Sequence, residues 1–345
     1  MSFCPAKEQY RSYREEVNII FLVCPESVAY IAERDDFSFP YIVAPNEVCE
    51  DSEIGWVESV VTQVNADAII LDGYQFNEKY RRDIRPLINT LVVVDDCNNS
   101  GALYADVVIN AVNQSYQMGY ALTAPNAVLM LGEQYTLLRQ EFCYPVSEDY
   151  SSRSECLLTF GASDVSGLTV PVLKALLTEG DIDTISIVTG SGFRQIDSLN
   201  QLLKAAKCQV GSSRRRKVEI RVHHNVSNMR SLYEDAKFAI SAAGGTLFEL
   251  AATGVPSIVI VVADNQFNAA MEQQKKGWCK VFDAREGLYV STIVASANEF
   301  WGDDALRLQM HRSAYAAATF DGAKTAASEI VSVIATTEKS SINNG

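Results

Sequence analysis

Residues 241–266 read SAAGGTLFELAATGVPSIVIVVADNQ, and this segment decides the fold class. It predicts a strand that ends in the Gly244-Gly245 turn, a helix that begins at Thr246, and a helix stop at residues 254–256, Gly-Val-Pro. The run 257–262 is mostly β-branched, which is typical of a buried strand, and a polar loop at 263–266 follows it. Strand, glycine turn and helix in this order indicate a βα unit.

A glycine turn that opens a helix is an anion site made of backbone. The first N–H groups and the helix dipole favour negative charge, and glycine lets a phosphate approach the chain closely. Glu249 lies one turn into the helix, where its carboxylate can accept hydrogen bonds from ribose hydroxyls. Ordinary βα turns share this pattern, so the segment by itself leaves both interpretations open.

Composition limits the possible classes of protein. The chain has 345 residues, enough for two domains, and its 48% hydrophobic and 21% charged residues are ordinary for a soluble globular protein. A net charge of −14 disfavours a nucleic-acid binder. The only basic run, 214–217, is interpreted as a solvated loop. The chain shows no signal-peptide pattern and no apolar run near the roughly 20 residues of a membrane span. We therefore expect a cytoplasmic protein without stable membrane insertion.

Metal-ligand patterns are absent from the sequence. The 8 cysteines never form a CxxC motif, which favours reduced thiols over a disulfide framework. The 3 histidines, His223, His224 and His311, make a histidine-based catalytic zinc site improbable. We expect neither a metal nor a cofactor.

The N-terminal half alternates predicted strands and helices. Strands are predicted at 17–24, 39–43, 66–71, 90–94 and 105–109, and helices at 5–16, 25–34, 52–65 and 77–89. Short links between alternating elements indicate a parallel, doubly wound sheet, in which ligands bind beyond the carboxyl ends of the strands. Asp72, Tyr74, Asp95 and Asp96 all follow strands directly, although aspartates there also serve as caps and turn residues.

A second α/β cycle follows a polar, serine-rich boundary at 144–155. Strands are predicted at 156–160, 184–189, 218–222, 237–241, 257–262 and 279–282, and helices at 168–178, 192–208, 228–236, 246–253, 267–277, 290–301, 304–320 and 321–335. The domains are thus assigned to 1–145 and 153–337, with a disordered tail at 338–345. Three small-residue loops, 161–164, 190–192 and 223–225, end neighbouring strands and indicate a nucleotide cleft. The sequence lacks GxGxxG after any strand, which argues against a classical NAD site.

Several motifs together resemble a known group of enzymes. They are LDGY (71–74), VVDD (93–96), GEQYTLLRQEF (132–142), LLTFGASDVSGLT (157–169), the run 225–256, ADNQ (263–266) and FDGA (320–323). In order and spacing they resemble the GT-B nucleotide-sugar enzymes, nearest to the UDP-sugar hydrolase of pseudaminic acid biosynthesis and its spore-coat-polysaccharide relatives. The resemblance implies a GT-B-like α/β fold of two Rossmann-like domains with a cleft between them.

The resemblance also implies roles for individual residues. Gly161, Ser163, Gly244, Gly245, Thr246, Glu249 and Gln266 match UDP-binding positions. Tyr74 and Asn265 match catalytic positions beside the sugar and the phosphate. The family also has a first strand with a GxGH loop that bears a histidine, and aligned back from 17–24 these elements fall before Met1. We therefore expect unpaired strand edges in the N-terminal domain and the loss of the family's usual acid–base group.

The resemblance implies hydrolysis of a UDP-linked amino sugar at its anomeric centre, with release of UDP, in surface-glycan or sialic-acid-like sugar biosynthesis. Two alternatives remain open: a glycosyltransferase that uses a UDP-sugar donor and a sugar acceptor, and a catalytically impaired nucleotide-sugar binder. The N-terminal half shows no evident basic or apolar acceptor face, which favours hydrolysis over transfer at a membrane. The sequence does not determine the oligomeric state.

Overall fold

Strands and helices alternate along the described chain, as the sequence predicts. The structure, a computed structural model, describes residues 17–32, 37–46, 48, 52–145, 149–208, 218–287 and 289–343. The predicted helix 5–16 and the basic run 214–217 lie outside these residues. The chain divides into two compact units, unit 1 formed by Met1–Gln140 with Asp321–Gly345 and unit 2 formed by Glu141–Phe320.

Unit 1 is built on parallel strands. These are β1 Phe21–Val23, β2 Tyr41–Val43, β3 Ala68–Asp72, β4 Thr90–Val94, β5 Val107–Asn110 and β6 Val128–Leu131. Its helices are α1 Pro25–Ala32, α2 Glu53–Val64, α3 Glu78–Ile84, α4 Tyr120–Thr123 and α12 Gly322–Asn343. Within the described residues β3-β4-β5-β6 form one sheet and β1-β2 a separate pair. Strand β4 has its predicted bounds, whereas β6 was not predicted.

The two faces of the β3–β6 sheet bury alternate side chains. Leu91 and Val93 point into a cluster with Val57 of α2, whereas Val92 and Ile109 point into a second cluster on the other face. This alternation is the period-two pattern of a strand buried on both sides.

The last helix, α12, covers the second of these faces. Ala326 is buried there, Ile330 and Val333 pack beside it at helical spacing, and Tyr135 donates a 2.9 Å hydrogen bond to Glu329. Residues 321–345 therefore group with unit 1, whereas the sequence assigned 153–337 to the second domain. The helix also runs through most of the segment predicted as a disordered tail.

Unit 2 contains a larger parallel sheet. Its strands are β7 Glu155–Thr159, β8 Thr184–Thr189, β9 Glu219–His224, β10 Ala236–Ala242, β11 Ser257–Val261 and β12 Cys279–Asp283. Its helices are α5 Thr169–Glu179, α6 Ile196–Cys208, α7 Met229–Asp235, α8 Thr246–Ala252, α9 Asp264–Lys275, α10 Val290–Gly302 and α11 Asp304–Ala317. In the described part of the chain the strand order is β12-β11-β10-β7-β8-β9. One face packs against α5, α6 and α10 to form a large apolar core.

The predicted glycine stop after α8 is confirmed. Gly254 follows the C-cap Thr253 with a φ of +63°, and its N–H bonds to Ala251 O at 3.0 Å. A left-handed residue at this position is the usual end of a helix, and glycine adopts it without strain. The site is also crowded, because a Cβ on Gly254 would lie 2.5 Å from Nδ1 of His311. That ring is buried, its Nδ1 lies 2.6 Å from Gly254 O, and it packs at a tilt against the ring of Tyr150, so it cannot move away easily.

Gly254→Ala is expected to lower the free energy of unfolding by about 2–4 kcal/mol, because the left-handed strain and the overpacking against His311 add. Gly277→Ala is the matched control. Gly277 has a φ of +80°, but a Cβ there meets nothing closer than Ser313 Oγ at 4.0 Å. It should therefore lose only about 1 kcal/mol. Urea unfolding measures both variants, and equal losses would contradict the crowding argument.

Candidate functional site

The centre of the unit 2 sheet is a topological switch point. Strand β7 lies between β8 and β10, and the register places Thr159 beside Val188 on one side and Ser241 on the other. The chain leaves β7 toward β8 but leaves β10 toward β11, in opposite directions along the sheet. Right-handed crossovers then put the following helices, α5 and α8, on opposite faces. Such a point opens a crevice at the carboxyl ends of the strands, where α/β proteins bind ligands.

The loop after β7 forms one wall of this crevice. Gly161 has a φ of +77°, Gly161 and Ser163 are exposed, and apart from its two chain neighbours no described residue lies within 4 Å of where a Cβ on Gly161 would stand. Asp164 is buried, and its carboxylate points toward the start of α5. Oδ1 accepts a hydrogen bond from Leu168 N at 2.9 Å and Oδ2 accepts one from Thr169 N at 2.8 Å. The N-terminus of α5 is therefore satisfied by the protein's own carboxylate. This leaves Gly161 and Ser163 as exposed residues of the loop, free of the helix-capping role that Asp164 fills.

The loop after β8 packs against the loop after β7. A Cβ on Gly190 would stand 2.6 Å from Ala162 Cα, and one on Gly192 would stand 2.3 Å from Ser163 Oγ. Close packing between the two loops thus explains both glycines. Because Gly192 has no side chain, the loop after β8 can lie directly against the candidate residue Ser163.

The third predicted loop, 223–225, is shorter than expected. Both histidines belong to β9, whose predicted end at residue 222 was two residues too early. Nδ1 of His224 lies 3.1 Å from Thr189 Oγ1, and Nε2 of His223 lies 3.4 Å from Ser186 Oγ. The ladder between β8 and β9 continues to Thr189 and His224, which is why the strand extends this far.

The turn after β10 forms the opposite wall. Helix α8 begins at Thr246 as predicted, Gly245 is its N-cap, and no side chain caps it. Apart from its two chain neighbours, no described residue lies within 4 Å of a Cβ placed on Gly244. Glu249 is half-buried one turn into the helix, and its Oε2 accepts a 3.1 Å hydrogen bond from the hydroxyl of Tyr233. The structure thus brings the predicted positions of this turn beside Gly161 and Ser163 at the switch point.

Asn265 and Gln266 follow the next strand, β11, but not in a loop as predicted. Helix α9 begins at Asp264, so both residues lie in its first turn. Oε1 of Gln266 accepts from Val262 N at 3.0 Å, which directs the amide Nε2 of Gln266 away from that bond. Arg285 donates to Asp264 at 2.7 Å and to Asp283 at 2.6 Å, and its hydrogen bonds lower the pKa of Asp283 to about 2. This guanidinium fixes the start of α9.

Tyr74 lies in unit 1, just after β3. Its side chain is 73% exposed, and its hydroxyl donates to Oδ2 of Asp96, which follows β4. The buried guanidinium of Arg81 joins the backbone of this loop to the loop after β4, because it donates to Phe76 O at 2.5 Å and to Ser100 O at 2.7 Å. This exposed tyrosine is therefore held at its hydroxyl, and its loop is held two residues further on at Phe76.

Sequence reasoning missed three partners of the candidate residues. They are Asp164, Tyr233 and Asp96 as the partner of Tyr74. Asp164 lies five residues before the first residue of α5, whose N-cap residue is Leu168, so the usual N-cap signal does not identify it. The other two pairs join different elements, and no local pattern encodes them.

Among the described residues, histidine, cysteine, aspartate and glutamate side chains nowhere gather in a group of three or more that could hold a metal ion. No helix within the described ranges has the length and apolar character needed to span a membrane.

Comparison with known proteins supports an α/β fold of this kind. The glycosyltransferase family 28 C-terminal domain matches residues 184–321, and the matched segment lies almost wholly in unit 2. MurG of Acinetobacter baumannii superposes with a TM-score of 0.61 at 16% identity, covering 94% of this chain and 93% of MurG. The fold is that of the GT-B glycosyltransferases. A putative UDP-N-acetylglucosamine 2-epimerase from Listeria monocytogenes gives the same TM-score at 13% identity, covering 93% of this chain and 90% of the epimerase.

Two curated relatives share part of the sequence. Uncharacterized protein MJ1062 of Methanocaldococcus jannaschii is 31% identical over 208 residues, which are 58% of this chain and 41% of that protein. Spore coat polysaccharide biosynthesis protein SpsG of Bacillus subtilis is 23% identical over 227 residues, 64% of this chain and 63% of SpsG. The matches thus span less than two thirds of either relative.

Asp164→Ala is expected to lower the free energy of unfolding by about 1–3 kcal/mol, because it removes two bonds to helix N–H groups and places alanine at a left-handed φ. Asp164→Asn is the control: asparagine tolerates that φ, which is +41° here, and keeps one acceptor oxygen. It should lose about half as much as alanine. Thermal or urea unfolding of both variants measures this, and an asparagine variant as unstable as the alanine variant would contradict it.

Proposed function

We propose that this protein binds a UDP-linked amino sugar and hydrolyses it at the anomeric carbon, releasing UDP. The observation that carries the proposal is the switch point of the unit 2 sheet, where glycine turns follow the adjacent strands β7 and β10 and Glu249 lies one turn into the helix after the second. The match of residues 184–321 to a glycosyltransferase domain supports a nucleotide-sugar as the ligand. The likeness to a spore coat polysaccharide protein supports a place in surface-glycan or sialic-acid-like sugar biosynthesis, such as that of pseudaminic acid.

The UDP moiety would lie across the carboxyl ends of β7 and β10. Gly161 and Ser163 would face the nucleotide from one side, and Gly244, Gly245 and Thr246 would contact the phosphates from the other. Backbone N–H groups suit a diphosphate because they are fixed donors that need no reorganisation when charge develops on the leaving group. Glu249 would accept hydrogen bonds from the ribose hydroxyls, and Gln266 would donate from its amide.

Hydrolysis requires a water oxygen to attack the anomeric carbon while the bond from that carbon to the diphosphate oxygen breaks. The bonding pair leaves with UDP, the water oxygen becomes the anomeric hydroxyl of the free sugar, and the proton that the water loses passes to solvent. Asn265, held in the first turn of α9, would hydrogen-bond the phosphate or the sugar. We propose Tyr74 as a second catalytic residue because residues 71–74 match the family motif, and its hydroxyl oxygen can accept a hydrogen bond while its own proton is donated to Asp96.

Glu249→Ala is expected to weaken UDP binding about 10-fold or more, because bonds to a charged group are worth roughly 1.5–3 kcal/mol. Isothermal titration calorimetry of UDP against wild type and variant measures the change. Glu272→Ala, on the later turns of α9, is a control that should leave UDP affinity unchanged. Unchanged affinity in Glu249→Ala would contradict the assignment of this carboxylate to the ribose.

Transfer to a sugar acceptor is a second candidate, and the family 28 match favours it specifically. The two reactions differ only in whether water or a sugar hydroxyl attacks. Incubation with UDP-linked diacetamido sugars and with UDP-N-acetylglucosamine is expected to release UDP without any acceptor. UDP release only after acceptor addition would establish the transferase instead. Tight UDP binding with no turnover of any donor would establish a nucleotide-sugar binder.

Tyr74→Phe is expected to lower kcat for UDP release about 10- to 100-fold, while UDP affinity stays within about two-fold of wild type, because the hydroxyl acts on the sugar. Steady-state kinetics and calorimetry on the same preparation separate the two effects. Tyr116→Phe, another exposed tyrosine of unit 1, is the control for loss of a surface hydroxyl. An unchanged kcat in Tyr74→Phe would remove this residue from the reaction.

A further inference from the structure

Tyr233 is a buried residue with its polar end at the candidate site. Its side chain is 1% exposed, and its ring stacks on Phe142 with centroids 5.5 Å apart and an interplanar angle of 27°. The ring position is therefore fixed by packing on α7. Its hydroxyl donates to Oε2 of Glu249 on α8 at 3.1 Å. A rigid donor thus orients a carboxylate that the sequence assigns to the nucleotide.

The two helices that carry this pair are joined by one buried guanidinium. Arg153 donates to the carbonyl of Tyr233 at 3.3 Å and to the carbonyl of Thr253, the C-cap of α8, at 2.8 Å. The hydroxyl of Thr253 in turn donates to the backbone carbonyl of Glu249 at 2.9 Å. The donor and the acceptor of the Tyr233–Glu249 bond are thereby fixed through the backbone as well as through their side chains.

We propose that Tyr233 is a positioning residue that makes the site selective for ribonucleotides. Its hydroxyl holds the Glu249 carboxylate in the orientation that receives the 2′- and 3′-hydroxyls of the ribose. This inference rests on the proposed function, because it presumes that a nucleoside diphosphate binds at the switch point.

Glu249 can accept hydrogen bonds from Tyr233 and from a ribose at the same time. A carboxylate offers about four acceptor sites on its two oxygens, so the bond from Tyr233 leaves acceptor capacity for ribose hydroxyls. Holding the carboxylate before the ligand arrives removes the cost of immobilising it on binding. A site built to hydrogen-bond ligand hydroxyls rejects analogues that lack them, because its polar groups are then left unpaired.

A purely structural explanation makes a different prediction. A buried tyrosine hydroxyl needs a hydrogen-bond partner, and in this explanation Glu249 only accepts that bond and has no role in binding. Loss of the hydroxyl would then affect the fold, and the affinities for all nucleotides would fall together. If Tyr233 positions Glu249 for the ribose, loss of the tyrosine hydroxyl lowers the affinity only for ligands that carry ribose hydroxyls.

The test compares UDP with 2′,3′-dideoxy-UDP, which lacks both hydroxyls. Calorimetry on wild type and Tyr233→Phe is expected to show UDP affinity reduced about 3- to 10-fold in the variant, with dideoxy-UDP affinity unchanged. The preference for UDP over dideoxy-UDP should fall by the same factor, and Glu249→Gln should lower it as well. Tyr80→Phe is the matched control, because Tyr80 donates a similar 3.0 Å bond to Glu53 in unit 1. That variant should keep the wild-type preference.

The possible results separate this inference from the proposed function. Equal weakening of both nucleotides in Tyr233→Phe, or weakening of neither, overturns the positioning role while wild-type UDP binding still supports the proposed function. Failure of the wild-type protein to bind UDP overturns both. Retained ribose preference in Tyr233→Phe, together with its loss in Glu249→Gln, assigns the ribose to Glu249 alone and also overturns the inference.

Discussion

The pairing of β10 with β7 sets the geometry of unit 2. These strands are about eighty positions apart in sequence, yet Leu157 lies beside Ala239 and Thr159 beside Ser241 in parallel register. To make this pairing the chain must return from β9 past β7 and then continue outward on the other side. The two turns at the centre of the sheet consequently diverge, and the candidate nucleotide residues lie on either side of the resulting crevice. A different strand order would leave the same turns as ordinary surface loops.

Arg153 secures the elements behind this crevice. It is 4% exposed, and in the described structure its guanidinium donates to the carbonyls of Tyr233, Ala236 and Thr253 and lies over the ring of Tyr150. Burial lowers the pKa of this guanidinium, although arginine stays charged in proteins. All three acceptors lie at the carboxyl ends of helices α7 and α8, where the helix dipoles concentrate negative charge. Backbone dipoles thus compensate the buried positive charge of Arg153. The same contacts hold the two helices that carry Tyr233 and Glu249.

Features decided by local chemistry could be predicted from the sequence. Strands β4 and β8 have their predicted bounds because β-branched runs meet polar or glycine residues at both ends, and the start and stop of α8 follow from its glycines. Strand β6 was missed because its residues, Val-Leu-Met-Leu, suit a buried helix as well as a strand. The positions of Gly161 and Gly244 at the sheet edge follow from the βα pattern. The bond between Tyr233 and Glu249 does not, because it depends on how α7 packs beside α8.

The grouping of α12 with unit 1 has a consequence for synthesis on the ribosome. Residues 141–320 are made between the strands of unit 1 and the helix that covers one face of its sheet. At about 5–20 residues per second, translation of that insertion takes on the order of tens of seconds. During this interval Val92 and Ile109 have no helix over them, while unit 2 can complete its own continuous sequence. The order of folding along the nascent chain is therefore inverted, and the first unit to be started is the last to be finished.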